Sequence, residues 1–303
     1  MTEILVTGHL GLIGRHLSPL LKEKGIKVRG FDILEDSKDI RDIKKVRSAI
    51  KNCSGVIHLA AVSRVIWAQN DPDKCWQTNA QASHHILQAA LEQKQRPWVL
   101  CASSREVYGQ QPVLPVREDA KLAPVNIYGE AKIAMETYAI EARTAGLNTA
   151  IVRLANVYGC TEDHHDRVLP AFCKNAVEGS PLRVDGKNNV FDFTHVSDAV
   201  DGIASMVMML ESGEKTLPPI HLLPGIATSL ERAAEFAISA AKSNSIVKQA
   251  SPRDYDVSRF VGNPERAQEI LGWKAKISPD KGIEMLVHAF EQTLARKETL
   301  CAS

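Results

Sequence analysis

The stretch Ile4-Leu-Val-Thr-Gly-His-Leu-Gly-Leu-Ile-Gly14 decides the fold, because it joins a short apolar strand to a helix through closely spaced glycines. The strand ends at Val6, and the helix is predicted from Gly11 to Lys24. Glycine has no side chain, so the backbone can approach a pyrophosphate, and the helix start offers free N–H groups and the positive end of its dipole. The turn from Thr7 to Gly14 is therefore predicted to bind a dinucleotide through Gly8, Gly11, Leu12, Ile13 and Gly14.

Asp32 supports this prediction from the end of the next predicted strand, Lys27–Phe31. A carboxylate at that place can accept hydrogen bonds from both hydroxyls of an adenosine ribose, and it would repel a 2′-phosphate. The pattern therefore favours NAD over NADP, although Arg29 and Arg41 leave NADP open. A glycine-rich turn without a ligand is the alternative, and the strand, the helix and Asp32 together argue against it.

Composition excludes several classes of protein. The chain has 303 residues, of which 44% are hydrophobic and 24% are charged, and its formal net charge is +1. This length suits one large or two coupled domains. No basic run, zinc-ligand spacing, signal sequence or membrane-length apolar stretch is visible, so no nucleic-acid, metal or membrane site is predicted. The six cysteines are expected to be reduced thiols, and the protein is expected in the cytoplasm.

Short apolar runs alternate with amphipathic helical patterns in the first two-thirds of the chain. Further strands are predicted at Val56–Leu59, Trp98–Ala102 and Thr149–Leu154, and further helices at 43–50, 73–93 and 128–144. This alternation predicts an α/β fold with a doubly wound parallel sheet, the Rossmann arrangement. After Gly159 the pattern loosens. A dinucleotide-binding domain is expected from 1–159 plus 188–212, and a smaller, mixed α/β substrate lobe from 160–187 plus 213–303.

Tyr128 and Lys132 are four residues apart at the start of a predicted helix, so they share one face. A tyrosine has an ordinary pKa of about 10, and a nearby ammonium favours its phenolate form. This spacing is common by itself. Ser103 and Ser104 strengthen it, because they end a strand at the sheet edge where such folds bind ligands. A serine hydroxyl there can bind a substrate oxygen while the attached carbon loses or gains hydride.

In order, these motifs resemble the extended short-chain dehydrogenases/reductases, in particular the NAD-dependent epimerase/dehydratase family that acts on nucleotide sugars. The resemblance covers nearly the whole chain. Beyond the glycine-rich turn, it rests on Asp39-Ile40, His58-Leu-Ala-Ala61, Ser103-Ser-Arg-Glu-Val-Tyr-Gly109, Tyr128-Gly-Glu-Ala-Lys132, Arg153-Leu-Ala-Asn-Val-Tyr-Gly159, Asp192-Phe-Thr-His-Val-Ser-Asp198 and Leu271-Gly-Trp273.

The resemblance implies roles for individual residues. It implies NAD as the cofactor, a nucleotide-diphosphate sugar as the substrate, and a homodimer formed through helices 73–93 and 128–144. Ser104, Tyr128 and Lys132 resemble a catalytic triad, and Asn156 and Arg253 resemble residues that bind the substrate's diphosphate. The implied cofactor contacts outside the glycine-rich turn are Asp32, Asp39, Ile40, Leu59, Ala60, Ala61, Ser103, Tyr128 and Lys132.

Phe191 and Arg105 depart from the family pattern, whereas Glu106 keeps it. Phe191 stands where many members carry an arginine that touches the diphosphate or a substrate carboxylate. Arg105 stands where 4,6-dehydratases carry an acidic aspartate, whereas Glu106 matches the glutamate that serves them as a base. Glu106 is therefore a candidate catalytic base and Arg105 a candidate substrate contact. The alternative is a structural ion pair between the two.

The resemblance implies a shared first step, in which Tyr128 takes a hydroxyl proton, NAD takes hydride and a 4-keto sugar forms. Rotation of this sugar and return of hydride gives a 4-epimer, which is the favoured outcome. Loss of a C5 proton to Glu106 would instead give dehydration or C5 epimerisation, and release of the ketone would give a dehydrogenase. A non-enzymatic NAD-sensing protein of the same fold is the remaining alternative. Retention of Tyr128 and Lys132 disfavours it.

Overall fold

A computed structural model describes residues 3–35 and 38–301 of the chain. The predicted domain ranges also include residues 1–2, 36–37 and 302–303, which lie outside the described residues. The described strands are β1 (Glu3–Thr7), β2 (Lys27–Phe31), β3 (Gly55–His58), β4 (Trp98–Ser104), β5 (Thr149–Leu154), β6 (Asn156–Tyr158), β7 (Leu182–Asp185), β8 (Val190–Phe191), β9 (Phe193–His195), β10 (Ile220–Leu222), β11 (Thr228–Ser229) and β12 (Val247–Ala250).

Eleven α-helices accompany these strands in the described ranges. They are α1 (Leu12–Glu23), α2 (Ile43–Ile50), α3 (Val65–Asn70), α4 (Pro72–Cys75), α5 (Ala82–Leu91), α6 (Ile127–Thr144), α7 (Val168–Val177), α8 (Val196–Glu211), α9 (Leu230–Ala240), α10 (Glu265–Leu271) and α11 (Pro279–Cys301). A 3₁₀ turn spans Arg105–Tyr108. Within the described residues, no helix combines the length and the apolar character needed to cross a membrane.

The central sheet has six parallel strands in the order β10-β5-β4-β3-β1-β2. The predicted doubly wound parallel sheet is therefore confirmed. The order of successive strands reverses at β1, since β2 lies on one side of β1 and the later strands lie on the other. Ligands of such sheets bind at the carboxyl ends of the strands beside this reversal point.

Helices cover both faces of this sheet, which explains its apolar strands. Leu17 of α1 and Ile203 of α8 belong to the core on one face, whereas Ile86 of α5 and Met135 of α6 belong to the core on the other. All residues of β3, β4 and β5 are buried. Parallel strands buried on both faces have nearly continuous apolar sequences, as the sequence analysis assumes.

A further core lies outside the sheet, among α7, α9, α11 and β7, and includes Phe172, Leu182 and Leu286. These residues fall in the ranges predicted for the smaller lobe. Two parts of the ranges predicted for the smaller lobe instead belong to the central sheet or its core. Strand β10 forms an edge of the central sheet, and Trp273 packs in the core of that sheet. Residues 220–222 and 273 therefore belong with the sheet, while the rest of the predicted division stays a prediction.

The predicted continuous helix 73–93 is interrupted by a π-helical turn at Trp76–Gln81. Asn79 on this turn is buried, and its side-chain amide pairs with the backbone of Val62 in both directions, with distances of 2.8 and 2.9 Å. Such widened turns occur inside α-helices, often at functional sites. In this protein the turn holds the segment that follows β3 in position, through the two bonds between Asn79 and Val62.

A buried polar network lies behind the end of β4. The Arg153 guanidinium donates to the Glu136 carboxylate at 2.9 Å, and the Ser103 hydroxyl donates to the same oxygen at 2.5 Å. Arg153 also donates to the Tyr108 hydroxyl at 2.7 Å, which lies 2.6 Å from His221 Nε2. Burial lowers the pKa of His221 to about 3, so its ring is neutral. It accepts a hydrogen bond from the Tyr108 hydroxyl, whose oxygen already accepts one from Arg153. The network ties β4, β5, α6 and β10 together.

Replacing Arg153 tests the strength of this network. We expect Arg153→Leu to lower the free energy of unfolding by about 3–5 kcal/mol, because the buried Glu136 charge would lose its partner. Urea denaturation followed by circular dichroism measures the change. Arg47→Leu is the matched control, since Arg47 pairs with Glu92 at the exposed surface, and it should stay close to wild type. Equal effects of the two replacements would contradict the prediction.

Candidate active site

A cavity of about 950 Å³ opens at the carboxyl ends of strands β1 to β5. Each of these strands delivers a lining residue at or just after its end: Gly8, Asp32, Leu59, Ser104 and Ala155. This is the place where doubly wound sheets bind their ligands. The cavity is therefore the candidate site for both a dinucleotide and a substrate.

Every residue that the sequence analysis assigns to the cofactor, the chemistry or the substrate lines this cavity. They are Gly8, Gly11, Leu12, Ile13, Gly14, Asp32, Asp39, Ile40, Leu59, Ala60, Ala61, Ser103, Ser104, Arg105, Glu106, Tyr128, Lys132, Asn156 and Arg253. The fold thus brings together residues that are up to 245 positions apart. Their individual roles stay predictions.

The glycine-rich turn leaves no room for side chains at two of its glycines. Gly8 has φ +72°, and a Cβ there would lie 2.7 Å from the Ala60 nitrogen; a Cβ at Gly14 would lie 2.4 Å from the Gly8 oxygen. A Cβ at Gly11 would lie 3.3 Å from the Gly8 oxygen, a less severe contact. Gly11 lines the cavity, so a side chain there would take up space that a ligand could use. Among the described residues, no side chain caps the start of α1. Its N–H groups therefore suit a pyrophosphate.

Asp32 is buried at the base of the same cavity. Its carboxylate accepts hydrogen bonds from the backbone N–H groups of Leu10 at 3.0 Å and Leu34 at 3.1 Å. A carboxylate oxygen can accept more than one bond, so both oxygens retain capacity for ribose hydroxyls. Arg29 donates to Glu3 and to the backbone of Ala49, away from this site.

Arg41, the other arginine considered for a 2′-phosphate, lines the cavity but is held by Asp39. The two side chains form a two-pronged ion pair, with N–O distances of 2.6 and 3.0 Å. The Arg41 guanidinium lowers the pKa of the Asp39 carboxyl. With both arginines already paired and Asp32 beside the turn, these side chains favour NAD over NADP.

Tyr128 and Ser104 meet at the opposite part of the cavity. The Ser104 hydroxyl is near enough to Tyr128 to lower the pKa of its phenol, and Ser104 accepts from the Glu106 backbone N–H at 3.2 Å, which fixes its orientation. Asn126 caps α6 by accepting from the Gly129 N–H at 2.9 Å. This cap places Tyr128 in the first turn of α6, directed toward the end of β4.

The predicted effect of Lys132 on Tyr128 needs correction. Burial raises the pKa of Tyr128 to about 12, and the positive charge that opposes this rise comes from Arg167. Lys132 Nζ lies 5.8 Å from the centre of the Tyr128 ring and donates to the Ala102 carbonyl at 2.8 Å. Burial also lowers the pKa of Lys132 from 10.5 to about 8. Desolvation therefore dominates the pKa of Tyr128 in this structure.

Glu106 and Arg105 form the ion pair that the sequence analysis left as an alternative. Arg105 Nη2 lies 2.8 Å from one Glu106 oxygen, and the Asn126 amide donates to the other at 3.0 Å. Both side chains of the pair are nine-tenths buried or more. The Arg105 guanidinium lies over the Phe191 ring, 4.6 Å from its centre. The two departures from the family pattern, at 105 and 191, are therefore in direct contact.

The predicted diphosphate contacts are arranged differently from each other. Asn156 begins β6, and its half-buried side chain faces the cavity. Arg253 is paired with Asp256, at a distance of 2.6 Å. The Asp256 carboxylate therefore competes with any anion for this guanidinium, and binding of a diphosphate requires the pair to share or exchange partners.

Sequence reasoning missed the residues at the mouth of the cavity. The loop before α7 contacts two segments on the opposite rim through the ion pairs Arg15–Glu162 and Arg64–Asp166. Arg167 of the same loop donates to the Val157 carbonyl at 3.3 Å and supplies the charge near Tyr128. No local motif marks these residues, since charged loop positions are usually solvated.

Comparison with known proteins identifies one family and several related enzymes. The model of the NAD dependent epimerase/dehydratase family matches residues 4–219. A UDP-glucose 4-epimerase of Lactobacillus helveticus is 28% identical, over 90% of this chain and 92% of its own length. UDP-glucuronate 4-epimerase 4 of Arabidopsis thaliana is 27% identical, over 94% of this chain and 74% of its own.

A solved structure resembles this chain over almost its entire length. It is the UDP-glucose 4-epimerase of Thermotoga maritima with UDP-glucose, which is 26% identical and superimposes with a TM-score of 0.89. The match covers 97% of this chain and 100% of the other. Together with the family match, this likeness confirms the dinucleotide-binding fold and the predicted cofactor, NAD.

The lowered pKa of Lys132 predicts how stability changes with pH. Between about 8 and 10.5 the unfolded chain binds more protons at this residue than the folded chain, so wild-type stability rises with pH there. We therefore expect Lys132→Met to stabilise the ligand-free protein by about 1–3 kcal/mol near neutral pH. The advantage should shrink as pH rises through this window.

Urea denaturation of both proteins at a series of pH values measures the difference. Lys276→Met is a suitable control, because Lys276 pairs with Asp201 at the exposed surface. A difference between wild type and Lys132→Met that stays constant or grows over this pH range would contradict the assignment of Lys132 as a desolvated ammonium.

Proposed function

The chain belongs to the NAD-dependent epimerase/dehydratase family, and on that premise we propose that it is a nucleotide-sugar 4-epimerase that acts through a transient 4-keto sugar. The architecture of the cavity supports this proposal, since the glycine-rich turn, Ser104 and Tyr128 all line it. The UDP-glucose and UDP-glucuronate 4-epimerases among its relatives make UDP-hexoses the first substrates to consider.

One observation favours epimerisation over the alternatives that remove a C5 proton. Glu106 is the carboxylate available for that step, and both of its oxygens are engaged, one by Arg105 and one by Asn126. Each oxygen keeps a further lone pair, but a proton taken up by the carboxylate would give up the attraction of the Arg105 guanidinium. The engaged Glu106 leaves hydride transfer at C4 as the chemistry that the remaining groups support.

The glycine-rich turn and Asp32 are the groups that would hold NAD. The uncapped N–H groups of α1 would bind its pyrophosphate, and the Asp32 carboxylate would bind the adenosine ribose. When bound, NAD supplies a hydride acceptor whose positive ring also favours a tyrosine phenolate. Lys132 would bind the nicotinamide ribose, and its bond to the Ala102 carbonyl fixes its position.

Tyr128 and Ser104 would carry out the proton transfer. Tyr128 takes the proton from the C4 hydroxyl as hydride leaves the C4 carbon, and the Ser104 hydroxyl donates to the oxygen as it becomes a carbonyl. The proximity of Ser104 supports the first step, because it lowers the pKa of Tyr128 against the effect of burial. Tyr128 returns the proton when hydride returns to the other face.

Some features of the predicted function stay predictions. These are the nucleotide base, the homodimer formed through helices 73–93 and 128–144, and the cytoplasmic location. A non-enzymatic NAD-sensing role requires no acid/base pair in the cavity. The meeting of Ser104, Tyr128 and Lys132 beside the dinucleotide turn therefore argues for an enzyme.

Incubation in D₂O with a panel of UDP-, dTDP-, GDP- and CDP-sugars tests the proposal, with NMR as the readout. We expect a 4-epimer of at least one UDP-hexose, without deuterium at C5, because the hydride stays on the enzyme and Glu106 takes no proton. Tyr128→Phe should reduce turnover by about 100-fold or more, since a general acid/base contributes at least this factor.

Two results would count against the proposal. Deuterium at C5 in the wild-type product would favour a Glu106-dependent dehydratase or C5 epimerase. Turnover that survives Tyr128→Phe unaltered would remove the redox mechanism itself. Ser205→Ala is a suitable control for expression and folding, because Ser205 hydrogen-bonds only within α8 on the described chain, on the sheet face away from Tyr128.

A further inference from the structure

We propose that Arg105 determines which reaction follows hydride removal: it binds the Glu106 carboxylate and so prevents this group from taking the C5 proton of the 4-keto sugar. The inference rests on the proposed function, since a 4-ketone must form first. Arg105 is in this role a positioning residue, because it acts on the substrate through Glu106. The enzyme would otherwise hold a base beside an acidified C–H bond.

Glu106 lies close enough to the reacting centre to act there. It lines the cavity two residues after Ser104, and its charge is near enough to raise the pKa of Tyr128. A carbon next to a ketone carries an acidic proton, because the carbonyl accepts the electron pair that the proton leaves behind. A carboxylate at this distance from Ser104 and Tyr128 is the natural acceptor for such a proton.

Each of the two Glu106 oxygens is bound by a donor in this structure. Arg105 Nη2 holds one oxygen at 2.8 Å and the Asn126 amide holds the other at 3.0 Å. Burial of both charged side chains strengthens these bonds, since water does not compete for them. A carboxylate that took up a proton would lose its charge, and with it the attraction of the guanidinium.

Two aromatic rings keep Arg105 in place. The centre of its guanidinium lies 4.6 Å from the Phe191 ring and 5.9 Å from the Phe260 ring. Asn126 is held equally well, because its amide also donates to the Tyr255 carbonyl and its oxygen caps α6. Because the Arg105 guanidinium and the Asn126 amide are fixed in this way, they cannot move with the Glu106 side chain. Glu106 would lose both contacts if it turned toward a substrate.

The suppressed step balances without any further reactant. The C5–H bond breaks, its proton forms an O–H bond on Glu106, and its electron pair moves into the C4 carbonyl as an enolate. Return of a proton to C5 restores the ketone. In D₂O the returned proton is deuterium once Glu106 has exchanged with solvent. Exchange at C5 is thus a direct measure of a released Glu106.

Arg105→Ser in D₂O tests the proposal with the UDP-hexose that the wild type epimerises. We expect the ratio of C5 deuterium to 4-epimerisation to rise by about 100-fold or more over wild type, since a released general base contributes at least this factor. Arg105→Lys should keep the ratio low, because an ammonium still binds the carboxylate. Adding Glu106→Gln to Arg105→Ser should remove the exchange.

Arg47→Ser is the control, since Arg47 is paired with a carboxylate, Glu92, outside the cavity. It removes one paired arginine but leaves Glu106 bound, so its C5 exchange ratio should match wild type. Phe191→Leu gives a second route if Arg105→Ser does not fold. It removes the ring under the guanidinium and should raise the ratio by a smaller factor.

The outcomes separate this inference from the proposed function. Epimerisation by wild type, with no C5 exchange in folded Arg105→Ser or in Phe191→Leu, would overturn the role of Arg105 and leave the epimerase intact. Exchange that persists after Glu106→Gln would overturn the role of Glu106. C5 exchange in the wild type would overturn both the proposed 4-epimerase function and the restraint of Glu106 by Arg105. The absence of any reaction with the whole panel of nucleotide sugars would also overturn both.

Discussion

Contact between two backbones holds the cofactor end of this protein together. The turn after β1 packs against the segment after β3 so closely that only glycine fits at position 8, where a Cβ would meet the Ala60 nitrogen at 2.7 Å. Gly14 brings the first turn of α1 equally close to the Gly8 carbonyl. Strand ends, helix start and cavity floor therefore depend on each other, and Asp32 completes the arrangement through its bond to the Leu10 N–H.

The catalytic end depends on polar side chains instead. Ser103 is anchored to Glu136 and Arg153 behind the sheet, while its neighbour Ser104 faces the cavity. The strand alternates its side chains between the two faces, so one serine can be fixed in the network and the next can be presented to a substrate. A rigid support of this kind limits the freedom of the groups that meet the reacting carbon.

Local sequence was sufficient for the parts of the site that are built locally. The glycine-rich turn and Asp32 follow from one strand–helix unit, and the predicted parallel sheet follows from the alternation of strands and helices. Contacts between distant residues were not predictable in the same way. Arg105 and Phe191 were recognised as separate departures, but only the fold shows that one stacks on the other.

Other differences have equally specific causes. The sequence predicts that Lys132 lowers the pKa of Tyr128, because spacing in a helix reports which residues share a face and says nothing about desolvation. Burial depends on the surrounding elements, and Arg167, the cation near Tyr128, comes from a loop 39 residues away. The π-helical turn at Trp76–Gln81 was missed because Asn79 adapts the helix to a distant partner, the backbone of Val62.

The ion pairs at the mouth of the cavity differ in kind from those inside it. In the Arg64–Asp166 pair only Asp166 is exposed, but both side chains of the Arg15–Glu162 pair are at least 44% exposed, and contacts of this second sort stabilise a structure by about 1 kcal/mol or less. Salt screens them at ordinary ionic strength, whereas the buried pairs of Arg105 and Arg153 are shielded from it. Ionic strength therefore weakens the exposed Arg15–Glu162 contact across the cavity mouth more than it weakens the buried pairs inside.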